Sequence, residues 1–199
     1  MTQLHTPNKQ EKSLIIRFLP VIFFACIVVV FYFALFADPF ERPSELEGRP
    51  LPEFQLPDLY TDGVSYSRDS LLGEPFLLNV WGVWCVTCRY ELPYLTQLKN
   101  EQGVKIVGLY YDQEHDPEFG IYADVPKIRE DVVNMLSQFG NPYHINILDL
   151  DRDLLLDLAV TGAPETYVID ADGKILLHHL GEVNERVWNE KIAPIWNQL

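Results

Sequence analysis

Apolar residues change their period along this chain, and each change marks an element. From Phe18 to Ala37 there is no period at all. These 20 positions carry no charge, and Pro20 alone falls outside the hydrophobic class. About 20 such residues in a helix span a hydrocarbon core about 30 Å thick. A cleaved leader has a shorter apolar region of about 7–15 residues and ends in small residues. Leu35 is bulky for such a site, so the stretch reads as an uncleaved anchor. Lys9, Lys12 and Arg17 precede it, opposed by Glu11, whereas Asp38, Glu41, Glu45 and Glu47 follow it with Arg42 and Arg49. The positive-inside rule then puts residues 1–17 in the cytoplasm and everything after the span outside.

Residues 38–52 show no periodic apolar face and hold Pro39, Pro43, Pro50 and Pro52 among charges. They read as a linker. One domain is expected over 53–199. Thr61-Asp62-Gly63 is a turn signal, and Phe76 to Trp81 is an apolar run of the kind found in a strand buried on both faces. A helix is predicted from Cys85 to Glu101, with Cys88, Leu92, Leu95 and Leu98 at helical spacing and a kink at Pro93. Val104 to Tyr111 is a second buried strand, followed by an acidic loop from Asp112 to Asp124.

Further on, a helix is expected over Val125–Phe139 on the face Ile128, Val132, Val133, Leu136 and Phe139. Ile145–Leu148 is a short strand and Leu154–Leu158 a short helix. Thr166–Ile169 and Ile175–His179 flank the hairpin turn Asp170-Ala171-Asp172-Gly173. A last helix is expected over Glu185–Gln198, with Trp188, Ile192, Ile195 and Leu199 on one face. Strands alternating with helices, and a hairpin late in the chain, predict an α/β domain. Its sheet would be mixed, mostly parallel with an antiparallel edge, and covered by helices.

Composition sharpens this division. The 199 residues carry 15 Lys and Arg against 29 Asp and Glu, a formal charge of −14. That balance argues against a nucleic-acid partner, because phosphate binding draws on basic side chains. Residues 1–37 hold three of the basic residues and one acid, which leaves 12 basic against 28 acidic beyond them. Of three cysteines, Cys26 lies in the apolar span, so a disulfide-dense scaffold is excluded and one pair remains outside.

That pair, in Trp84-Cys85-Val86-Thr87-Cys88, sits where a strand gives way to a helix. Unpaired N–H groups and the macrodipole at a helix N-terminus favour negative charge. They lower the pKa of the first cysteine and populate its thiolate, the attacking species. One helical turn keeps Cys88 close enough to resolve a mixed disulfide on Cys85. Cys85 is then the nucleophile and Cys88 the resolving thiol. A zinc site would need two more ligands, and His178 and His179 alternate faces on their strand. A structural disulfide closing so short a loop would stabilise little.

From Asn79 to Leu95 the chain resembles thioredoxin-fold thiol:disulfide interchange proteins of cytochrome c biogenesis, the DsbE/CcmG family. Arg49–Leu59, Gly140-Asn141-Pro142-Tyr143, Val160–Thr166 and Asn184–Trp188 extend the likeness over most of 49–197. The resemblance implies a thioredoxin-like three-layer sandwich behind one transmembrane helix. It makes Pro164 the cis-proline beside the cysteines, with Ala163 exposing backbone to an extended client peptide. It makes Glu91 and Glu165 acidic positions near the thiols, able to raise their pKa or relay a proton. Asn79 stands where general thioredoxins carry a buried acid. Trp84, like Trp81, is expected to pack around the site. Val86 replaces a common proline, the loop Asp112–Pro126 is longer than usual, and Ala159 stands for a frequent glycine.

The activity so implied is that of a periplasmic dithiol reductase held at the inner membrane. Its client would be an apocytochrome c CxxCH disulfide or a thiol protein of the same maturation route. It would be recharged by a membrane electron donor of the disulfide-reductase type, with no cofactor and no metal. A different periplasmic client, such as a respiratory copper-site protein, or a copper-binding chaperone role for the same cysteines, stays open on the sequence.

Overall fold

The computed structural model describes residues 9–36 and 45–199, with side chains for 18–34 and 45–199. The chain divides into two compact units, Met1–Arg42 and Pro43–Leu199. In the first unit, helix α1 runs over Lys9–Phe36 with Pro20 inside it. The residues expected as a membrane span fall in this helix, apart from Ala37. That residue, the start of the cytoplasmic tail (1–8) and the linker stretch 38–44 lie outside the described residues. Among the described residues no helix is long and apolar enough to cross a membrane.

The second unit opens with a small hairpin, β1 (Gln55–Pro57) paired antiparallel to β2 (Ser65–Ser67), around the expected turn at Thr61–Gly63. Helix α2 (Arg68–Leu71) follows. Its N-cap Ser67 and Ser70 satisfy each other's backbone N–H groups, a capping box built from two serines. Then come β3 (Phe76–Trp81), α3 (Val86–Gln102), β4 (Ile106–Tyr110), α4 (Val125–Phe139), β5 (Ile145–Leu148) and α5 (Asp153–Asp157). Strands β6 (Glu165–Ile169) and β7 (Ile175–Leu180) form the late hairpin. The last segment is α6 (Glu185–Val187), a π turn over Trp188–Ile192, and α7 (Ala193–Trp196).

The main sheet has the order β5-β4-β3-β6-β7. The β3–β4 and β4–β5 pairings are parallel and the two pairings of β6 are antiparallel. The sheet is therefore mixed in equal parts, less parallel than the sequence pattern suggests. Strand alternation splits β3 between two apolar clusters. Leu77 and Trp81 pack with α3, α4 and the C-terminal segment, while Phe76, Leu78 and Val80 pack with α2 and α5. Covering both faces is what makes β3 apolar at successive positions. Asn79 is the exception, and its side chain points to the α3 face.

Three local readings need correction. The stretch expected as the end of a linker already belongs to the domain. Gly48 and Leu51 donate backbone hydrogen bonds to Ile175 and Gly173, and Leu51 is fully buried. On α4 the buried face is Ile128, Val132, Met135 and Leu136, while Val133 is 55% exposed. The last helix is interrupted because Pro194 has no N–H for the ladder, and the π turn before it absorbs the mismatch. Trp188 and Ile192 are buried as the pattern suggests, but Leu199 is exposed. Helix α3 runs through Pro93 to Gln102, close to the expected end, and stops at Gly103 in the left-handed conformation.

Candidate active site

The cysteines sit where β3 hands over to α3. Strand β3 ends at Trp81, Gly82-Val83-Trp84 turns the chain, and Cys85 caps α3. Cys85 Sγ accepts a hydrogen bond from the Cys88 backbone N–H at 3.0 Å. Cys85 and Cys88 are joined as a disulfide with S–S 2.08 Å. After reduction the same N–H and the dipole of a 17-residue helix face the Cys85 sulfur, an arrangement that favours a thiolate there. Cys88 is fully buried, whereas Cys85 keeps 4% exposure beside exposed Val86. An incoming sulfur therefore meets Cys85 first.

Trp84 walls the site. Its Nε1 donates to the Tyr111 carbonyl at 3.0 Å, and its ring meets Tyr111 edge-on at 4.9 Å. Gly82 makes this possible, because a Cβ there would overlap the Trp84 indole. Opposite the cysteines, the Ala163–Pro164 peptide is cis. The Ala163 carbonyl oxygen lies 3.4 Å from Cys85 Sγ. Thus residues 78 apart in sequence meet across the site.

Glu91 lies one turn beyond Cys88 on the buried face of α3. Its carboxylate accepts from Asn79 Nδ2 at 3.0 Å and from the Val183 N–H at 2.9 Å. Asn79 also donates to Thr166 Oγ1 and accepts from the Tyr143 hydroxyl at 2.8 Å. Burial outweighs these two hydrogen bonds and pushes the Glu91 carboxyl up to about 8. Glu91 therefore keeps its proton into the neutral range, where an ordinary carboxyl is ionised.

Glu165 is equally buried, but its environment wins in the other direction. One oxygen accepts from Thr161 N–H, Thr161 Oγ1 and Gly162 N–H at 2.8, 2.7 and 3.0 Å. The other accepts from Tyr167 Oη at 3.1 Å and lies 2.8 Å from His178 Nε2. Burial alone would raise this carboxyl. The hydrogen bonds from His178 and Thr161 more than offset it, and the group is held below the usual range. Glu165 faces Tyr167 and the α5 side of the sheet, so it ties down the loop before Pro164 instead of lying in the same layer as Glu91.

Cys85, Cys88, Trp84, Glu91, Ala163, Pro164 and Glu165 are all site residues expected from the sequence. The structure gathers the first five and Pro164 around one site, with Glu165 behind the loop. It adds Asn79, Tyr143, Thr161 and His178 as hydrogen-bonding partners. Alternation along β6 is the signal that would have set Glu165 on the face of Tyr167. A groove of about 680 Å³ opens beside Trp84, between Arg89 and the acidic loop, with Asp112, Glu114, Asp124 and Asp131 on its wall. Arg152 holds that loop by donating to the carbonyls of Asp112, Gln113 and His115, each at 2.9 Å.

A model of the Redoxin family matches residues 46–193. The chain is 40% identical over 189 residues to the thiol:disulfide interchange protein DsbE of Vibrio cholerae, covering 92% of this chain and 95% of that one. It is 42% identical over 162 residues to DsbE of Escherichia coli K12, covering 81% and 80%. Among solved structures, the thioredoxin domain of a thiol-disulfide oxidoreductase from Bacteroides vulgatus superposes with a TM-score of 0.55. It shares 25% identity and covers 73% of this chain and 95% of that one.

Proposed function

The chain belongs to the DsbE family of thiol:disulfide interchange proteins, within the wider Redoxin family, and on that premise we propose that it is a membrane-anchored periplasmic dithiol reductase serving cytochrome c maturation. Its chemistry is thiol:disulfide exchange at Cys85 and Cys88. The observation that carries this chemistry, with Cys85 as nucleophile and Cys88 as resolving thiol, is the asymmetry of the pair. Cys85 caps a helix and is reachable, whereas Cys88 is sealed one turn inside it.

In the reduced protein the Cys85 thiolate attacks one sulfur of a client disulfide. A Cys85–client bond forms and the client's own S–S bond breaks, releasing its second sulfur as a thiolate that takes up a proton. Cys88 then gives up its proton and attacks Cys85 Sγ. The client's first sulfur leaves with a proton, and the enzyme closes its own disulfide. The client gains two electrons and two protons; the enzyme loses the two electrons and the Cys88 proton, and water supplies the second proton because Cys85 enters as its thiolate. The Cys85–Cys88 disulfide described here is that end state. Glu91, one turn from Cys88 and titrating near neutral pH, suits the relay of the Cys88 proton. A dithiol donor at the membrane must then return two electrons before another cycle.

The client backbone would pair with Ala163 as an added strand, its disulfide between Cys85 and the Trp84 wall. An apocytochrome c with an oxidised CxxCH segment, or a thiol protein of its maturation route, meets that description. The uncharged 20-residue stretch Phe18–Ala37 and the basic residues Lys9, Lys12 and Arg17 before it are what support an inner-membrane anchor with the domain outside. Anchoring raises the local concentration of the domain near membrane-bound assembly partners. The test is replacement of Cys85 by alanine in the producing cell. Holocytochrome c should fall to background, and unchanged holocytochrome c would contradict the reading.

A further inference from the structure

We infer that His178 is a positioning residue for client binding, acting through Glu165 on the loop that presents Ala163. This rests on the proposal that a client peptide pairs with that loop.

His178 lies on β7 directly opposite Tyr167 on β6. Its ring stacks flat on the Tyr167 ring, with centroids 4.2 Å apart and planes 12° apart. The side chain is 7% exposed, and its Nε2 sits 2.8 Å from Glu165 Oε2. Glu165 is held ionised and has no proton to give, so Nε2 carries the hydrogen and donates. Its second oxygen accepts the N–H groups of Thr161 and Gly162. One buried carboxylate therefore couples the β6–β7 hairpin to the two residues before Ala163. The far end of the same hairpin adds another tie, the Gly181 N–H to the Pro164 carbonyl at 2.9 Å. The segment that must line up with a client strand is thus held at one end from β7 and at the other from Gly181, the residue after it.

Toward the Glu165 loop, the geometry separates stacking by the imidazole from donation by it. Stacking on Tyr167 is apolar packing and any flat ring can supply it. Donation to Glu165 orients the carboxylate, and through it the loop. If donation is lost, the carboxylate is no longer fixed by β7, its bonds to the Thr161 and Gly162 N–H groups loosen, and Ala163 loses its fixed place against Cys85. The cysteines and α3 are untouched by this change. Client affinity should then suffer while sulfur chemistry does not.

The test uses the full-length chain in detergent micelles, reduced beforehand, in single-turnover stopped-flow reactions. One substrate is a peptide carrying an oxidised CxxCH segment, and the other is Ellman's reagent, too small to pair with the loop. His178→Phe keeps the stack and removes the donor, whereas His178→Gln keeps an N–H donor. For His178→Phe the half-saturating peptide concentration should rise about tenfold with the maximal rate and the reaction with Ellman's reagent unchanged. His178→Gln should stay within about twofold of the unmodified chain. An unchanged peptide concentration dependence in His178→Phe would overturn the inference, as would equal damage in His178→Gln or a parallel loss with Ellman's reagent. An unmodified chain that reduces Ellman's reagent but not the peptide would instead overturn the client reading beneath it.

Discussion

Glu91 and Glu165 sit on opposite faces of the same sheet. Glu91 bonds to Asn79 on the α3 face, and Glu165 bonds to Tyr167 on the α5 face. Neighbouring strand positions explain this, since Asn79 pairs with Thr166 and Val80 with Glu165. Both carboxyls are buried, yet one is raised and the other lowered, because the first has two donors and the second five. The two acids therefore differ in setting: Glu91 lies in the layer of Cys88, and Glu165 is bonded to the loop before Pro164.

Glu91 should make the protein less stable as pH rises. Its folded value of about 8 lies above the ordinary 4.5. The native state then keeps a proton that the unfolded chain has already released. The stability tied to that proton is fully present below about 4.5 and is lost as pH rises through about 8. Urea denaturation between these limits should show a downward slope that Glu91→Gln flattens. An identical slope in both proteins would contradict the assignment.

Glu165 should have the opposite sign. Its folded value lies below 4.5, so its contribution is present above that pH and is lost as pH falls through the folded value. Glu165→Gln replaces one accepting oxygen by an NH₂ and leaves donors of the loop or of His178 unmatched. A loss of about 1–3 kcal/mol at neutral pH is expected from urea denaturation. The difference from the unmodified chain should shrink toward acid.

Gly82→Ala should move Trp84. The new Cβ falls inside the indole, which is pinned by its bond to Tyr111. Displacement should change the tryptophan emission of the folded protein and cost about 1–3 kcal/mol. Unchanged emission together with unchanged stability would contradict the tight fit.

Much of the fold was legible because strong patterns are local. The run Phe76–Trp81 and the leucines of α3 fix the strand, the helix and the cysteine pair between them. The resemblance added Pro164 and both acids. What escaped depends on contacts distant in sequence. That Leu51 belongs to the core follows from its pairing with Gly173, which no local pattern reveals. The π turn depends on how the chain accommodates Pro194. His178 looked like one of two strand histidines, and only its register opposite Tyr167 brings it to Glu165.

In the proposed mechanism Cys85 attacks a client disulfide and Cys88 releases it. Removing the resolving thiol should strand the intermediate. The full-length Cys88→Ala chain, reduced and mixed with a peptide bearing an oxidised CxxCH segment, is predicted to accumulate a mixed disulfide. Mass spectrometry of its fragments should place the bond on Cys85. No adduct, or an adduct carried on Cys26, would contradict that mechanism.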